Sequence, residues 1–463
     1  MKKYVVILIS ILMFSIVFGN LIDDVKKHLD EVSKLVIEKN LYWKPGISSV
    51  FYRYQEMGVN SLEELMEKWA SCRQLPKTLE ERFIRYVTRK LTTTDDFLMS
   101  SKVIYKPSGD VELPPDFIQV HTPIRNQGVH GTCWAFSTVG SFESALLVQG
   151  IADELPEELD LSEQFVAFHN IDWDLAEAQD WFVIQDSNAD VGGRMYFSMY
   201  NTIRYGMPPE EDFPYSAFDM TDWIQWNPTT DNWDEHLLFS SKTLVLLNYK
   251  QMKDYFNMSY EDYIRAIKEM IHEYGALSVS YMVPWDFEYY TEGIYTPVYP
   301  VSPNGHAVTL VGWYSLDKVK ELGWVNEEAT CVRYYDPFAG VYKEATEFWV
   351  LKNSWGSDWG WNGYFVVPMI SEEEYENETV AEWQIENDWM YVPVFDFATS
   401  HLNWHEADFN NDGKINNSDF EMITNALGSE DDTYDISIPK DRVVNGEDLA
   451  RFFMLWNKYK GGL

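Results

Sequence analysis

The stretch Asn126-Gln127-Gly128-Val129-His130-Gly131-Thr132-Cys133-Trp134-Ala135-Phe136-Ser137 constrains this chain more than any other. After Cys133, the residues Phe136, Val139, Phe142, Ala145 and Leu146 recur at helical spacing, and Gly150 supplies a stop. This period predicts a helix that starts where a glycine-broken loop ends, with one apolar face turned to a core. A thiol at such a start meets unpaired backbone N–H groups and the positive end of the helix dipole. Both favour the thiolate, the form that attacks carbonyl carbon. A structural cysteine opening a core helix has the same local pattern, so the role of Cys133 turns on its partners.

A thiolate nucleophile needs a base, and the base needs a third group to orient it. His306 lies in Asn304-Gly305-His306-Ala307-Val308, at the head of an apolar strand-like run. Asn353 lies in Lys352-Asn353-Ser354-Trp355-Gly356-Ser357-Asp358-Trp359-Gly360, just after another such run. Taken singly, the histidine reads as a structural residue and the asparagine as a turn former. In this order behind Gln127 and Cys133, they resemble the papain-like cysteine peptidases, whose nucleophile segment reads Gln-Gly-x-Cys-Gly-Ser-Cys-Trp-Ala-Phe-Ser. Leu161-Ser162-Glu163-Gln164, Gly192-Gly193 and Phe213-Pro214-Tyr215 are similar to further landmarks of that family, in the same order.

The resemblance implies a peptidase that cleaves through an acyl-enzyme. Cys133 would be the attacking thiolate, His306 its ion-pair partner and then acid to the leaving amine, and Asn353 the group holding the imidazole tautomer. Trp355 would shield that bond from water, and Gln127 would donate to the oxyanion beside the Cys133 N–H. Substrate backbone would pair along Gly192 and Gly193, with Met195, Asn304 and Ala307 at the main specificity pocket. The fold implied is α+β and two-lobed. A helical first half leads into strand-like runs at 276–283, 307–313 and 348–351, with the cleft between. No cofactor is expected for catalysis.

Two departures stand out. His130 replaces the first family cysteine, and Asp190 stands where its disulfide partner would be. The two are either neighbours in a polar or ionic pair or unrelated exposed residues. The spacings from Cys133 to His306 and Asn353 also exceed the family's roughly 130–150 residues. Extra loops at 216–240 and 314–347 account for that, and they leave endopeptidase or exopeptidase action open.

Lys2 and Lys3 precede the apolar run Tyr4 to Phe18, which predicts a signal peptide over 1–19. The run is short for a membrane span of about 20 residues, although an uncleaved anchor is the alternative. With the signal cleaved, the chain would be secreted or cell-surface associated, with no membrane span left. A net charge of −38 disfavours nucleic acid as a partner. Of three cysteines, Cys72 and Cys331 are either a disulfide or two free thiols. Residues 20–112 read as a helical pro-region, because Leu113-Pro114-Pro115-Asp116-Phe117 resembles the mature start of the family. They lack its usual propeptide signature, so a permanently retained helical domain is the other reading. The peptidase unit is expected over 113–400.

The segment 401–463 carries calcium-loop spacing. Asp408, Asn410, Asp412 and Asp419 place side-chain oxygens, and Lys414 a carbonyl, around a turn at Gly413. A second, degraded copy offers Asp435, Ser437, Asp441 and Asp448, with Arg442 in place of the turn glycine. Each copy precedes a helix-like run, which resembles the dockerin repeats. That resemblance implies structural Ca2+ and a cohesin-bearing scaffold docked near Asn417 and Ser418; an intramolecular clamp is the alternative. For the whole chain, a catalytically silent surface-binding protein on the same fold is the competing reading.

Overall fold

The computed structural model describes residues 21–65, 102–152, 157–168, 193, 195–204, 206–216, 229, 236–300, 304–376, 383–395, 407–410, 415–431, 433–436 and 442–458. The expected signal peptide, Cys72, Asp190, Gly192 and most of the 216–240 insertion lie outside them.

The chain opens with helix α1 (Leu21–Glu38), strand β1 (Trp43–Pro45) and helix α2 (Ser49–Glu56). In α1 the 3.6-residue period is what folds it: Leu21, Ile22, Val25, Val32 and Val36 are all buried. These elements dock on a later part of the chain. His28 stacks on Tyr299 with ring centroids 5.6 Å apart, and its Nδ1 lies 2.9 Å from the Tyr289 hydroxyl.

Next come β2 (Lys102–Ile104), β3 (Phe117–Ile118), α3 (Cys133–Val148), α4 (Glu163–Phe168) and α5 (Met195–Arg204). The second half carries β4 (Lys242–Leu246), α6 (Tyr249–Phe256), α7 (Tyr260–Tyr274), β5 (Leu277–Val283), β6 (Tyr290–Gly293) and β7 (Asn304–Ser315). It continues with α8 (Leu316–Glu321), β8 (Val332–Asp336), β9 (Val341–Ala345), β10 (Glu347–Lys352), β11 (Tyr364–Pro368), α9 (Glu372–Glu376) and β12 (Met390–Val394). Helices α10 (Asn417–Ala426) and α11 (Gly446–Lys458) close the described chain.

An eight-stranded sheet runs β11-β10-β7-β5-β12-β4-β2, with β3 added to β7. Its ladders are antiparallel except β2–β4. The three strands expected from alternation are β5, β7 and β10, side by side at its centre. The insertion at 314–347 forms α8 and the β8–β9 hairpin. Its described contacts reach the N-terminal elements and their docking strand: the Lys39 ammonium sits over the Tyr335 ring, and Trp324 Nε1 donates to Glu292.

Helix α3 departs from the one-faced helix that its apolar period predicts. Ser137, Thr138, Ser141, Glu143 and Ser144 are buried along with the apolar residues. Short hydroxyls make this tolerable by bonding outward: Ser137 Oγ to Val308 O at 2.6 Å, Ser141 Oγ to Ala276 O at 2.7 Å, and Ser144 Oγ to Val120 O at 2.6 Å. Gly140 lets the helix press on β7, since a Cβ there would stand 2.9 Å from Thr309 Oγ1. The helix is therefore the central pillar between the halves. Among the described residues, no helix is long and apolar enough to cross a membrane.

Candidate active site

Cys133 is the first residue of α3 and is partly exposed. Thr132, before it, makes no side-chain cap, so the first-turn N–H groups are not capped by Thr132. Its hydroxyl lies instead 2.6 Å from the hydroxyl of Tyr215. Tyr215 also donates to the Gln127 carbonyl at 2.9 Å, and its ring meets Phe136 edge-on at 4.9 Å and His130 at 6.4 Å. The expected His130–Asp190 pair falls outside the described residues. What does hold this loop is Tyr215, a residue the sequence marks only as part of a Phe-Pro-Tyr landmark.

Strand register brings the next two residues together. Thr309 of β7 faces Lys352 of β10, so His306 and Asn353 lie beyond that pair at the same end of the sheet. There His306 Nε2 donates to Asn353 Oδ1 at 2.7 Å, and both side chains are buried. Trp355 covers the imidazole with ring centroids 4.9 Å apart, and is itself packed by Trp359 at 5.0 Å and Phe287 at 5.5 Å. Asn353 is held from behind, because its N–H donates to Gly363 O at 2.9 Å. Gly363 has φ +90°, and a Cβ there would strike Ile124 at 2.6 Å. Burial pushes the His306 imidazole down to about 4, against the opposing bond to Asn353. An imidazolium at this position therefore needs a nearby negative charge.

Gln127 is buried and doubly anchored to the segment after Asn353. Its N–H donates to Ser354 O at 2.8 Å, and its Oε1 accepts from Ser354 Oγ at 2.6 Å. One amide hydrogen of Nε2 goes to His130 O at 2.7 Å, which leaves the second for a ligand. The residue pattern points to Gln127 but not to Ser354 as its clamp.

A polar plug lies under the site. Lys352 Nζ donates to Thr122 O at 2.8 Å and to Thr122 Oγ1 at 3.1 Å, while Thr122 Oγ1 bonds Glu143. The other Glu143 oxygen takes the Leu161 N–H at 2.8 Å. Burial pushes the Lys352 ammonium down to about 8, and Glu143 opposes it; burial likewise pushes the Glu143 carboxyl up, opposed by Lys352. The plug joins α3 to β10, the two elements that present Cys133 and Asn353.

Of the residues expected to bind substrate, Gly193 is described, Met195 is buried at the start of α5, and Ala307 is buried opposite Ser280. Asn304 opens β7 opposite Val283. In the tail, Asp408, Asp419, Asp435 and Asp448 are buried. Asp419 accepts from Asn416 N at 3.0 Å and Asp448 from Asn445 N at 2.7 Å, so the two copies share one loop-to-helix geometry. Asp412, Lys414, Ser437 and Asp441 lie outside the described residues. Among the described residues, no group of three or more His, Cys, Asp or Glu is placed to hold a metal.

Comparison with known proteins follows the same lines. Residues 116–385 match the family model described as papain family cysteine protease. Pro-cathepsin H of Bos taurus is 28% identical over 265 residues, covering 57% of this chain and 60% of that protein. Cathepsin B-like CP2 of Giardia intestinalis is 28% identical over 263 residues, covering 55% and 67%. The chain thus spans about 60% of the first relative's length. The solved digestive procathepsin L 3 of Tenebrio molitor larval midgut shares the fold at a TM-score of 0.50 and 17% identity, covering 81% of this chain and 90% of that one. The chain belongs to the papain family of cysteine proteases.

Proposed function

We propose that this protein is an exported cysteine peptidase, made as a zymogen, that hydrolyses peptide bonds through Cys133, His306, Asn353 and Gln127. The observation that carries the reading is the buried His306–Asn353 bond at 2.7 Å under Trp355, at the end of β7 that Ser137 of the Cys133 helix holds through its bond to Val308 O at 2.6 Å. With Nε2 committed to Asn353, Nδ1 is the nitrogen left to exchange a proton with the thiol. The Cys133 thiolate attacks the peptide carbonyl, and the oxyanion takes the Cys133 N–H and the second amide hydrogen of Gln127. His306 gives its proton to the departing amine, and water then releases the acyl group. The thiolate supplies the negative charge that an imidazolium at His306 needs against the burial lowering its pKa. Gly192, Gly193, Met195, Asn304 and Ala307 would line the path for substrate.

We read the tail as a calcium module because its two loops match: Asp419 takes the Asn416 N–H and Asp448 the Asn445 N–H at the start of each following helix. Asp408, Asn410, Asp412, Lys414 and Asp419 would hold one ion, and Asp435, Ser437, Asp441 and Asp448 a second, each bracing a loop. A dockerin-like module of this kind would anchor the enzyme to a cohesin-bearing scaffold. A second reading has its own support: Phe165, Phe213, Leu237 and Phe239 of the peptidase share one apolar cluster with Ala407, Ile423 and Phe452 of the tail. That continuity favours a calcium-braced clamp on the helical half.

The test is a peptide-library cleavage assay of the activated protein against Cys133→Ala. Activity is expected only in the wild type, and cleavage that survives in the variant would sink the mechanism.

A further inference from the structure

The residues just ahead of Leu113 are built into the peptidase's own sheet. Lys102, Val103 and Ile104 of β2 run parallel to Thr243, Leu244 and Val245 of β4, and the Tyr105 N–H donates to Val245 O at 3.0 Å. The chain then crosses to α7, where Glu269 is fully buried. Glu269 accepts from Ser108 N at 2.7 Å, Gly109 N at 3.2 Å, Tyr105 Oη at 3.1 Å and Ser108 Oγ at 3.3 Å. Arg265, one turn earlier, donates to Glu269 at 2.7 Å and to Val111 O at 2.5 Å. Tyr105 packs edge-on against Tyr274 at 5.9 Å, and Lys106 lies over the Phe256 ring at 5.4 Å.

We infer that residues 102–112 remain part of the mature enzyme, and that the cut releasing α1 and α2 falls on the amino side of Lys102. This rests on the zymogen reading proposed above. In that cut, water gives its hydroxyl to a carbonyl carbon as the C–N bond breaks, and its proton goes to the new amine.

Three contrasts support the inference. First, α1 and α2 attach through a ladder outside the central sheet: among the described residues β1 pairs with β6 in a separate two-stranded sheet, with a register shift between Lys44 and Pro45. Their contacts are mostly side-chain ones, such as Arg53 with Asp358 at 2.9 Å. Second, a cut at 112–113 would let the strap leave and strip Glu269 of every partner except Arg265, a buried carboxylate with too few donors. Third, departure of β2 would open the β4 edge of the central sheet, a template for unwanted pairing. A peptide bond must also enter a cleft as an extended, unpaired strand, and β2 is already paired. Burial alone would push the Glu269 carboxyl up, but the bonds from Ser108, Tyr105, Gly109 and Arg265 outweigh it and hold the group below its usual value.

Two full-length preparations test this. Wild type is allowed to process itself, and Cys133→Ala is digested with trace subtilisin; intact mass and N-terminal sequencing then read the product. The expected new N-terminus is at or before Lys102 in both. A stable product beginning between Tyr105 and Leu113 would overturn the inference. If wild type never processes itself while the digested variant keeps the strap, the peptidase reading fails and this one stands. Glu269→Ala in the Cys133→Ala background is expected to open subtilisin sites within 102–112 while the core from Leu113 onward stays resistant. A strap as protected as before would show that the Glu269 clasp does not retain it.

Discussion

The Tyr215 hydroxyl donates to the Gln127 carbonyl at 2.9 Å, bridging the helical half to the residue just before the nucleophile loop. The same oxygen lies 2.6 Å from Thr132 Oγ1, so one side chain ties both ends of the loop that delivers Cys133. The papain-like pattern has a cysteine where this chain has His130; here a phenol and its packing against Phe136 hold the loop.

Tyr215→Phe keeps the ring and removes both hydrogen bonds. Stability should fall by about 1–2 kcal/mol, from two hydrogen bonds at about 1 kcal/mol each. With the loop looser, the helix-start N–H groups aim less well at the sulfur. Alkylation of Cys133 should then show its midpoint at higher pH, and kcat/KM should drop about tenfold. An unchanged alkylation profile would reduce Tyr215 to a packing residue.

Asn353→Ala removes the acceptor that orients His306. Loss of an orienting partner should lower kcat on the order of 10²-fold with a much smaller change in KM, since Asn353 is buried and acts through His306. Steady-state kinetics on one fluorogenic peptide would check the split. A rise in KM alone would place Asn353 in binding rather than catalysis.

His121 gives the fold an acid limit. Its Nδ1 donates to Gln119 O at 2.6 Å and its Nε2 lies 2.7 Å from the Tyr364 hydroxyl. Burial, then the nearby Lys352 charge, push its imidazole down to about 4, against the Gln119 bond. The unfolded chain takes up this proton near 6.5 while the folded chain resists, so the contribution is full above 6.5 and is lost as pH falls towards 4. The loss is on the order of 2–3 kcal/mol. Melting temperature against pH, in the Cys133→Ala background, should fall over that window and fall less in His121→Gln. Equal slopes in the two proteins would rule His121 out as the source.

Arg442 carries φ +68° in the second tail loop, where the first copy has Gly413. A side chain in that left-handed region costs roughly 1–2 kcal/mol. Arg442→Gly should therefore stabilise the tail by about 1 kcal/mol, after allowing for glycine's freer unfolded chain. The Arg442 N–H bond to Asp435 at 2.8 Å is kept, because glycine retains the backbone donor. Calorimetry with and without a calcium chelator would show a raised tail transition in the variant and a calcium-dependent one in both. A lowered transition would mean that the Arg442 side chain makes a contact worth more than the strain.

Much of this molecule is legible in its residues alone. Apolar spacing places α3, alternation places β5, β7 and β10, and the residues around Cys133, His306 and Asn353 name the site in family order. What the residue pattern conceals is polar: the buried hydroxyls of α3, the Thr122–Glu143–Lys352 plug and the Ser354 clamp on Gln127. Hydrophobic periodicity counts apolar residues, and it cannot see a polar face that is buried because its partners arrive from elsewhere in the chain.

The sequence by itself determined the Cys133 helix and the strands β5, β7 and β10, since each is written in residues close together along the chain. Only the tertiary structure decided which ends of β7 and β10 meet, how Tyr215 ties the Cys133 loop, and that Lys102–Ile104 join the central sheet. Those pairings join residues from tens to about 140 positions apart, and they depend on strand register and on which hydrogen bonds close once water is gone.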